Sequence, residues 1–242
     1  MKMKDLMCAM ECIAPVSSAE EWDNPGLLVG DEEAELRGIV LCVDATPAVA
    51  DFAEKMGANV MISHHPLMFG GVKQLTEGSY EGKLLRRLIR KDMMLFAAHT
   101  NLDKAPGGVE DCLAEALGVE CEWSGEPFLR CGQVGLHKAG QLVRRVRERI
   151  SGQAVFYGDL DAEIDRVALS CGGGGEFFRR AHELGANVFV TGEMKHHERI
   201  EAQGLGMQVI VAGHEESERV VLEPLKVRLE ALLPEKTPIF IA

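Results

Sequence analysis

The chain has 242 residues, 46% hydrophobic and 26% charged, enough for one large core or two modest ones, and its longest apolar stretches are only strand-sized, too short to span a membrane. A formal charge of −12 excludes unaided binding to nucleic acid or to an acidic membrane surface, because phosphate contacts need a basic face and no Lys/Arg cluster supplies one. Seven cysteines without a CxxC pair, and a start (MKMKDLMCAMEC) that acquires charge too early for a signal peptide, predict small buried thiols in a soluble, cytoplasmic protein.

In chain order, EEWDNPGLLVG (20–30) combines a turn, Asp23-Asn24-Pro25-Gly26, with Trp22, expected as a packing anchor, and a following strand. Residues 39–63, IVLCVDATPAVADFAEKMGANVMIS, predict strand, turn, helix, strand. Thr46 and Pro47 start the helix, Val49, Phe52, Ala53 and Met56 form its apolar stripe, and Gly57 stops it. The second strand runs into NVMISHHP, where His64 and His65 stand side by side. On a regular strand their side chains point to opposite faces. If Pro66 ends the strand and the backbone turns irregular, the pair can splay toward two different ions held roughly 3.5–4 Å apart.

MMLFAAHTNLD (93–103) reads as a short strand ending in His99 and Asp103, and GGVEDCLAEALG as a helix with Val109, Cys112, Leu113, Ala116 and Leu117 on one face. Residues 120–135 break the pattern with Gly and Pro, which places a domain boundary there and divides 1–125 from 126–242. AGQLVRRVRERI and AVFYGD open the second half. VALSCGGGGEFFRRAHELGANVFVT (167–191) then repeats the strand, turn, helix, strand order, with Gly-Ala-Asn recurring at 57–59 and 185–187. Its Gly172–Gly175 run lacks the spacing of a dinucleotide fold or a P-loop and reads as an anion cradle or as a tight turn with close packing. GEMKHHERI (192–200) adds Lys195, His196 and His197; His196 reads as a polar helix start, Lys195 and His197 as residues placed to face a cleft. QVIVAGHEESE (208–218) lines up with 93–103, so His214 matches His99 and Glu218 matches Asp103, and SERVVLEPLKVRLEALL continues as helix.

The expected fold is therefore α/β, two related halves with mixed sheets flanked by helices. His64, His65, His99, Asp103, His214 and Glu218 all fall at or just beyond predicted strand ends, where ligand groups gather in such sheets. Imidazole nitrogens and carboxylate oxygens are the ligand set of hydrolytic zinc, manganese and iron sites, and a carboxylate such as Glu218 can bridge a pair of ions. No GxSxG, catalytic Cys–His or Walker motif competes with a metal reading.

Through EEWDNPGLLVG, CVDAT, SHHPLMF, HTNLD, GGVEDCLAEALG, TGEMKHH and GHEESE, the chain resembles the family of GTP cyclohydrolase I type 2 homologues, also called the NGG-one-interacting-factor-three family. The resemblance implies a two-domain α/β protomer with a dinuclear metal site in the cleft between the halves, assembled as a hexamer closed into a hollow toroid. It makes His64, His65, Asp103, His214 and Glu218 the ligands of two divalent ions, with Glu218 bridging and His99 beside them in catalysis. The implied activity is metal-dependent hydrolysis of a small molecule, with GTP the named candidate: attack at C8 of the purine ring, ring opening and formate release. The same ligands also serve a metal-loaded binding or metal-chaperone protein, and paired metals also suit a phosphoesterase. Two departures touch no ligand: the glycine loop reads CGGGGE where a serine is often found, and the aspartate turn reads WDNPG with a proline.

Overall fold

The computed structural model describes residues 1–122, 124–233 and 237–242. The first elements along the chain are α1 (Met3–Ile13), β1 (Gly26–Val29), β2 (Ile39–Cys42), α2 (Pro47–Met56), β3 (Val60–Ser63), α3 (Tyr80–Arg90), β4 (Met94–Ala97) and α4 (Thr100–Lys104). There follow α5 (Val109–Leu117), β5 (Glu120–Glu122), β6 (Arg130–Gln133), α6 (Ala139–Arg149), β7 (Val155–Tyr157), β8 (Arg166–Ser170), α7 (Phe178–Glu183), β9 (Val188–Thr191), α8 (His196–Gly204), β10 (Gln208–Val211) and α9 (His214–Glu218). The chain ends with α10 (Leu222–Leu232) and β11 (Ile239–Ile241).

Two compact units result, one of residues 1–106 with 222–242 and one of residues 107–221. This division differs from the 125/126 boundary expected from the loop composition. The reason lies in pairing between distant segments: β11 returns to lie parallel to β2, and α10 packs on α1, while α5 packs on β5, β6 and α6. Residue 123, inside the expected boundary segment, lies outside the described residues.

The first unit has a five-stranded sheet in the order β1-β4-β3-β2-β11, parallel except for β1, which runs antiparallel to β4. Every residue of β2, β3 and β4 is buried, as befits parallel strands covered on both faces. Val40, Met61, Leu84, Leu88 and Leu95 are at the centre of its core. The second unit has a six-stranded sheet, β5-β6-β8-β9-β10-β7, in which β8, β9 and β10 are parallel and β5, β6 and β7 antiparallel to their neighbours. Leu129, Ala168, Phe178, Phe189 and Val209 fill its core. Both sheets are thus mixed, as expected.

Register positions the functional loops. Cys42, Ser63 and Ala97 are level across β2, β3 and β4, and Ser170, Thr191 and Val211 are level across β8, β9 and β10. Each unit therefore releases three consecutive loops at the carboxyl rim of its parallel strands.

Local signals act as read. Thr46 caps α2 by accepting the Val49 N–H, Pro47 occupies its first turn, and Gly57 ends it at φ 73. The buried edge of α2 is shifted, however: Ala50 and Ala53 are buried, Val49 and Phe52 pack at the margin, and Met56 is exposed. The helix expected across 217–233 is interrupted, with a 3-10 turn at Arg219–Val221 separating α9 from α10. Pro224 sits in the first turn of α10, where its missing N–H costs no helical hydrogen bond. Of the cysteines, Cys42, Cys112, Cys131 and Cys171 are buried as expected, whereas Cys8, Cys12 and Cys121 are exposed. Among the described residues no helix is long and apolar enough to cross a membrane.

Candidate metal centre

In the first unit β3 ends at Ser63, so the adjacent histidines lie just beyond regular strand geometry. Their backbone N–H groups still reach across to β2, His64 to Cys42 O at 3.0 Å and His65 to Val43 O at 2.9 Å. Ser63 Oγ donates to His65 O at 2.7 Å and pins the turn. The two rings consequently lie on the same side, with centroids 5.1 Å apart. His99, released by β4, joins them: its ring centroid is 5.2 Å from that of His64 and 5.5 Å from that of His65. One potential ligand atom from each of the three histidines lies within 4.8 Å of the others.

What orients these rings is the more telling feature. His64 Nδ1 contacts Ala98 O at 2.9 Å, His65 Nδ1 contacts Asp44 Oδ1 at 3.0 Å, and His99 Nδ1 contacts Asp23 Oδ1 at 2.9 Å. Each acceptor favours the tautomer with the proton on Nδ1, which places the ring's lone pair on Nε2. Metal-ligating histidines are held in this way, their other nitrogen fixed by a carboxylate or carbonyl. The donor set is therefore chemically suited to zinc, manganese or iron. Asp103, one turn into α4, brings Oδ1 to 3.5 Å from His64 Nε2.

The sequence marks Asp23 as a turn residue only. Its side chain is completely buried beside His99, and it also accepts the Thr100 N–H at 3.0 Å and the Thr100 hydroxyl. Burial, the largest single influence, pushes its pKa up, but hydrogen bonds from Thr100, His99 and the Asn24 N–H together outweigh it and hold the carboxyl below its ordinary value. It is accordingly an anion at neutral pH, facing the His99 Nδ1–H. Asp44, in the CVDAT segment, is likewise missed by the sequence reading; an acid just past a strand end is the signal that could have found it.

In the second unit β8, β9 and β10 release Gly172, Glu193 and His214. His214 opens α9, and one turn later Glu218 brings Oε1 to 3.1 Å from His214 Nε2. Glu193 Oε2 lies 3.4 Å from His214 Nδ1. Glu218 foremost, with Glu193, raises the pKa of His214 above the ordinary histidine value against the opposing effect of burial. A cation held by this pair would compete with that proton for the imidazole.

The glycine run serves this pair by allowing close approach. Gly172 has φ +50, and a Cβ there would meet Glu218 Oε1 at 2.1 Å and His214 Nε2 at 3.1 Å. The N–H groups of the loop are engaged internally: Cys171 N donates to both oxygens of Glu110 at 3.1 Å, Gly172 N to Ser217 Oγ at 3.0 Å, and Gly174 N to Cys171 O at 3.0 Å. Of the two readings of Gly172–Gly175, close packing prevails at these positions over an anion cradle.

Lys195 caps α8 and its ammonium meets Glu198 at 3.3 Å, His196 accepts from Arg199 at 2.9 Å, and His197 is exposed. A cavity of about 420 Å³ beside Glu193 is lined by Glu176, Glu193 and Glu198 as well as Lys195, a poor environment for a polyanion. Trp22, expected to anchor packing, is 60% exposed, since the turn that buries Asp23 turns the indole outward.

Residues 1–242 match the Duf34/NIF3 (NGG1p interacting factor 3) family. The chain belongs to this family. It is 32% identical to a GTP cyclohydrolase 1 type 2 homolog of Clostridium perfringens, over 96% of this chain and 94% of that one. A protein of the same name from Clostridium acetobutylicum is 30% identical, covering 100% and 96% of the two chains. Among solved structures, a Staphylococcus aureus hypothetical protein superposes with a TM-score of 0.90 at 28% identity, covering 100% of this chain and 96% of that one. Reduced HcgD from Methanocaldococcus jannaschii gives 0.88 at 27% identity, over 100% and 97% of the chains. The two mixed sheets flanked by helices are thus the architecture of Duf34/NIF3 proteins.

Proposed function

We propose that this Duf34/NIF3 protein is a dinuclear-metal-dependent hydrolase acting on a small molecule, its chains assembled as a homohexameric toroid. The observation that carries the reading is the convergence of three histidines whose Nδ1 atoms are each held by a carbonyl or carboxylate. His64, His65, Asp103, His214 and Glu218 would hold the metal. When bound, a pair of divalent ions lowers the pKa of a water toward neutrality and polarises the centre under attack. His99 accepts a proton at Nε2 and returns it to the leaving group. Asp23, ionised at neutral pH, holds the ring in place and stabilises its protonated form.

GTP is the candidate substrate that the names of the relatives suggest. In that reaction one water adds at C8 and opens the purine imidazole ring to a formamide, and a second water releases formate. The test is metal analysis of reconstituted protein together with formate release from GTP. Wild type is expected to hold stoichiometric metal, and His65→Ala to lose a large share of it. Substoichiometric wild type, or an undiminished His65→Ala, overturns the site. Metal without formate release, or without loss of any other metabolite in a mass-spectrometric screen, leaves the metal-loaded binding protein as the better reading.

Asp23→Ala is expected to weaken metal retention or turnover about 10–100-fold, the usual cost of removing the partner that orients a site histidine. Comparison with Asp23→Asn, which keeps an acceptor but removes the charge, separates orientation from electrostatics: a recovered turnover in Asn assigns the effect to orientation.

A further inference from the structure

Trp22 and Phe69 are among the most exposed large hydrophobic side chains described, 60% and 53% accessible, and they stack on each other with centroids 6.4 Å apart and planes inclined by 27°. Both also abut the same histidine. The Trp22 ring meets His99 at 6.0 Å and the Phe69 ring meets it at 5.5 Å, each edge to face. Their loops are fastened together by the residues beside them, because Asn24 Nδ2 donates to Met68 O at 2.7 Å. Asp23, adjacent to Trp22, holds His99 Nδ1 at 2.9 Å. One short network therefore sets the positions of both aromatic rings and of the imidazole. Two large apolar rings left in water, braced by polar contacts beside a reactive group, are poorly explained by packing alone, since burial is the ordinary fate of such side chains.

We infer that Trp22 and Phe69 form a stacking platform that seats a planar heteroaromatic ring next to His99. The inference rests on reading the histidine cluster as the reaction centre and specifies the class of molecule brought to it. Aromatic faces hold bases by stacking and tolerate any ring with a π-face, so the platform selects planarity and leaves the choice among bases to polar groups. It also suits the charge of the molecule: with a net charge of −12, recognition through the ring avoids dependence on a phosphate clamp.

The chain contains two tryptophans, so Trp123→Phe leaves Trp22 as the sole indole reporter. In metal-free full-length protein of that background, guanosine is expected to quench Trp22 emission saturably, and ribose is not. Phe69→Ala is expected to raise the half-saturating guanosine concentration about tenfold, within the range for loss of one base–aromatic stack, while Phe69→Tyr retains wild-type behaviour. Light scattering and metal analysis accompany each variant. Absence of saturable quenching, or equal guanosine binding by Phe69→Ala, overturns the platform. A fall in assembly mass in both Trp22→Ala and Phe69→Ala also overturns it, because the pair is then a contact between copies of the chain. Since quenching is read without metal, failure of the platform and failure of the metal centre are distinguished: the first loses quenching with metal retained, the second loses metal in wild type.

Discussion

Gly172→Ala is expected to strip metal from the His214–Glu218 pair as completely as Glu218→Ala does. The added methyl would lie 2.1 Å from Glu218 Oε1 and 3.1 Å from His214 Nε2, so either the loop or the carboxylate must move. Neither has an easy retreat. Glu218 is only 5% accessible, and the Gly172 N–H is bonded to Ser217, the residue preceding it. The left-handed backbone at φ +50 adds a cost of about 1–2 kcal/mol for a residue with a Cβ. Metal affinity, read by calorimetric titration of the metal-free chain, should fall at least about 10–100-fold, by comparison with the loss of a supporting contact at other metal sites. Gly173→Ala is the matched control: its φ is −79, and its Cβ would first meet His214 Cε1 at 3.9 Å, an ordinary contact. If the two alanine variants bind metal alike, the close approach of Gly172 has no part in shaping the site.

The other large effect concerns Glu110, a carboxylate only 2% accessible on the inner face of α5. Burial foremost, with a lesser push from Glu218, raises its pKa from 4.5 to about 8, while the Cys171 N–H and Arg130 pull the other way. Below pH 4.5 the group is protonated in the folded and the unfolded chain alike, and its neutral form stabilises the fold in full. Between 4.5 and about 8 the unfolded chain releases the proton and the folded chain keeps it, so stability falls as pH rises and levels off above about 8. At about 1.4 kcal/mol for each pH unit between the unfolded and folded pKa values, the loss is at most roughly 5 kcal/mol. Thermal unfolding of the metal-free protein at pH 5 and pH 8 is the measurement. In Glu110→Gln the drop in Tm between these pH values should be smaller than in wild type by on the order of 10 °C, given the usual few degrees per kcal/mol in chains of this size. An unchanged pH slope would show that Glu110 is already ionised in the fold.

Local sequence was enough for whatever depends on neighbours along the chain. Thr46, Pro47 and Gly57 delimit α2 because capping and left-handed termination are settled within one turn of helix. The histidines and acids of SHHP, HTNLD and GHEESE fall beyond strand ends because β-branched runs and the residues that stop them are adjacent in the chain. The matched pattern of 93–103 and 208–218 reappears as β4 with α4 and β10 with α9 for the same reason. Tertiary structure decided everything that rests on register between distant segments. Level pairing of Cys42, Ser63 and Ala97 is what gathers His64, His65 and His99, and periodicity along one strand carries no information about the register of the next. The acids that orient the histidines, Asp23 and Asp44, come from other loops, and the burial of Glu110 in an otherwise amphipathic helix depends on the end of β8 lying above it. The same holds for β11, whose place beside β2 assigns the C-terminal segment to the first unit. A carboxylate reads as a solvated charge in sequence; only the groups packed around it determine whether it caps a turn, aims a histidine or keeps a proton.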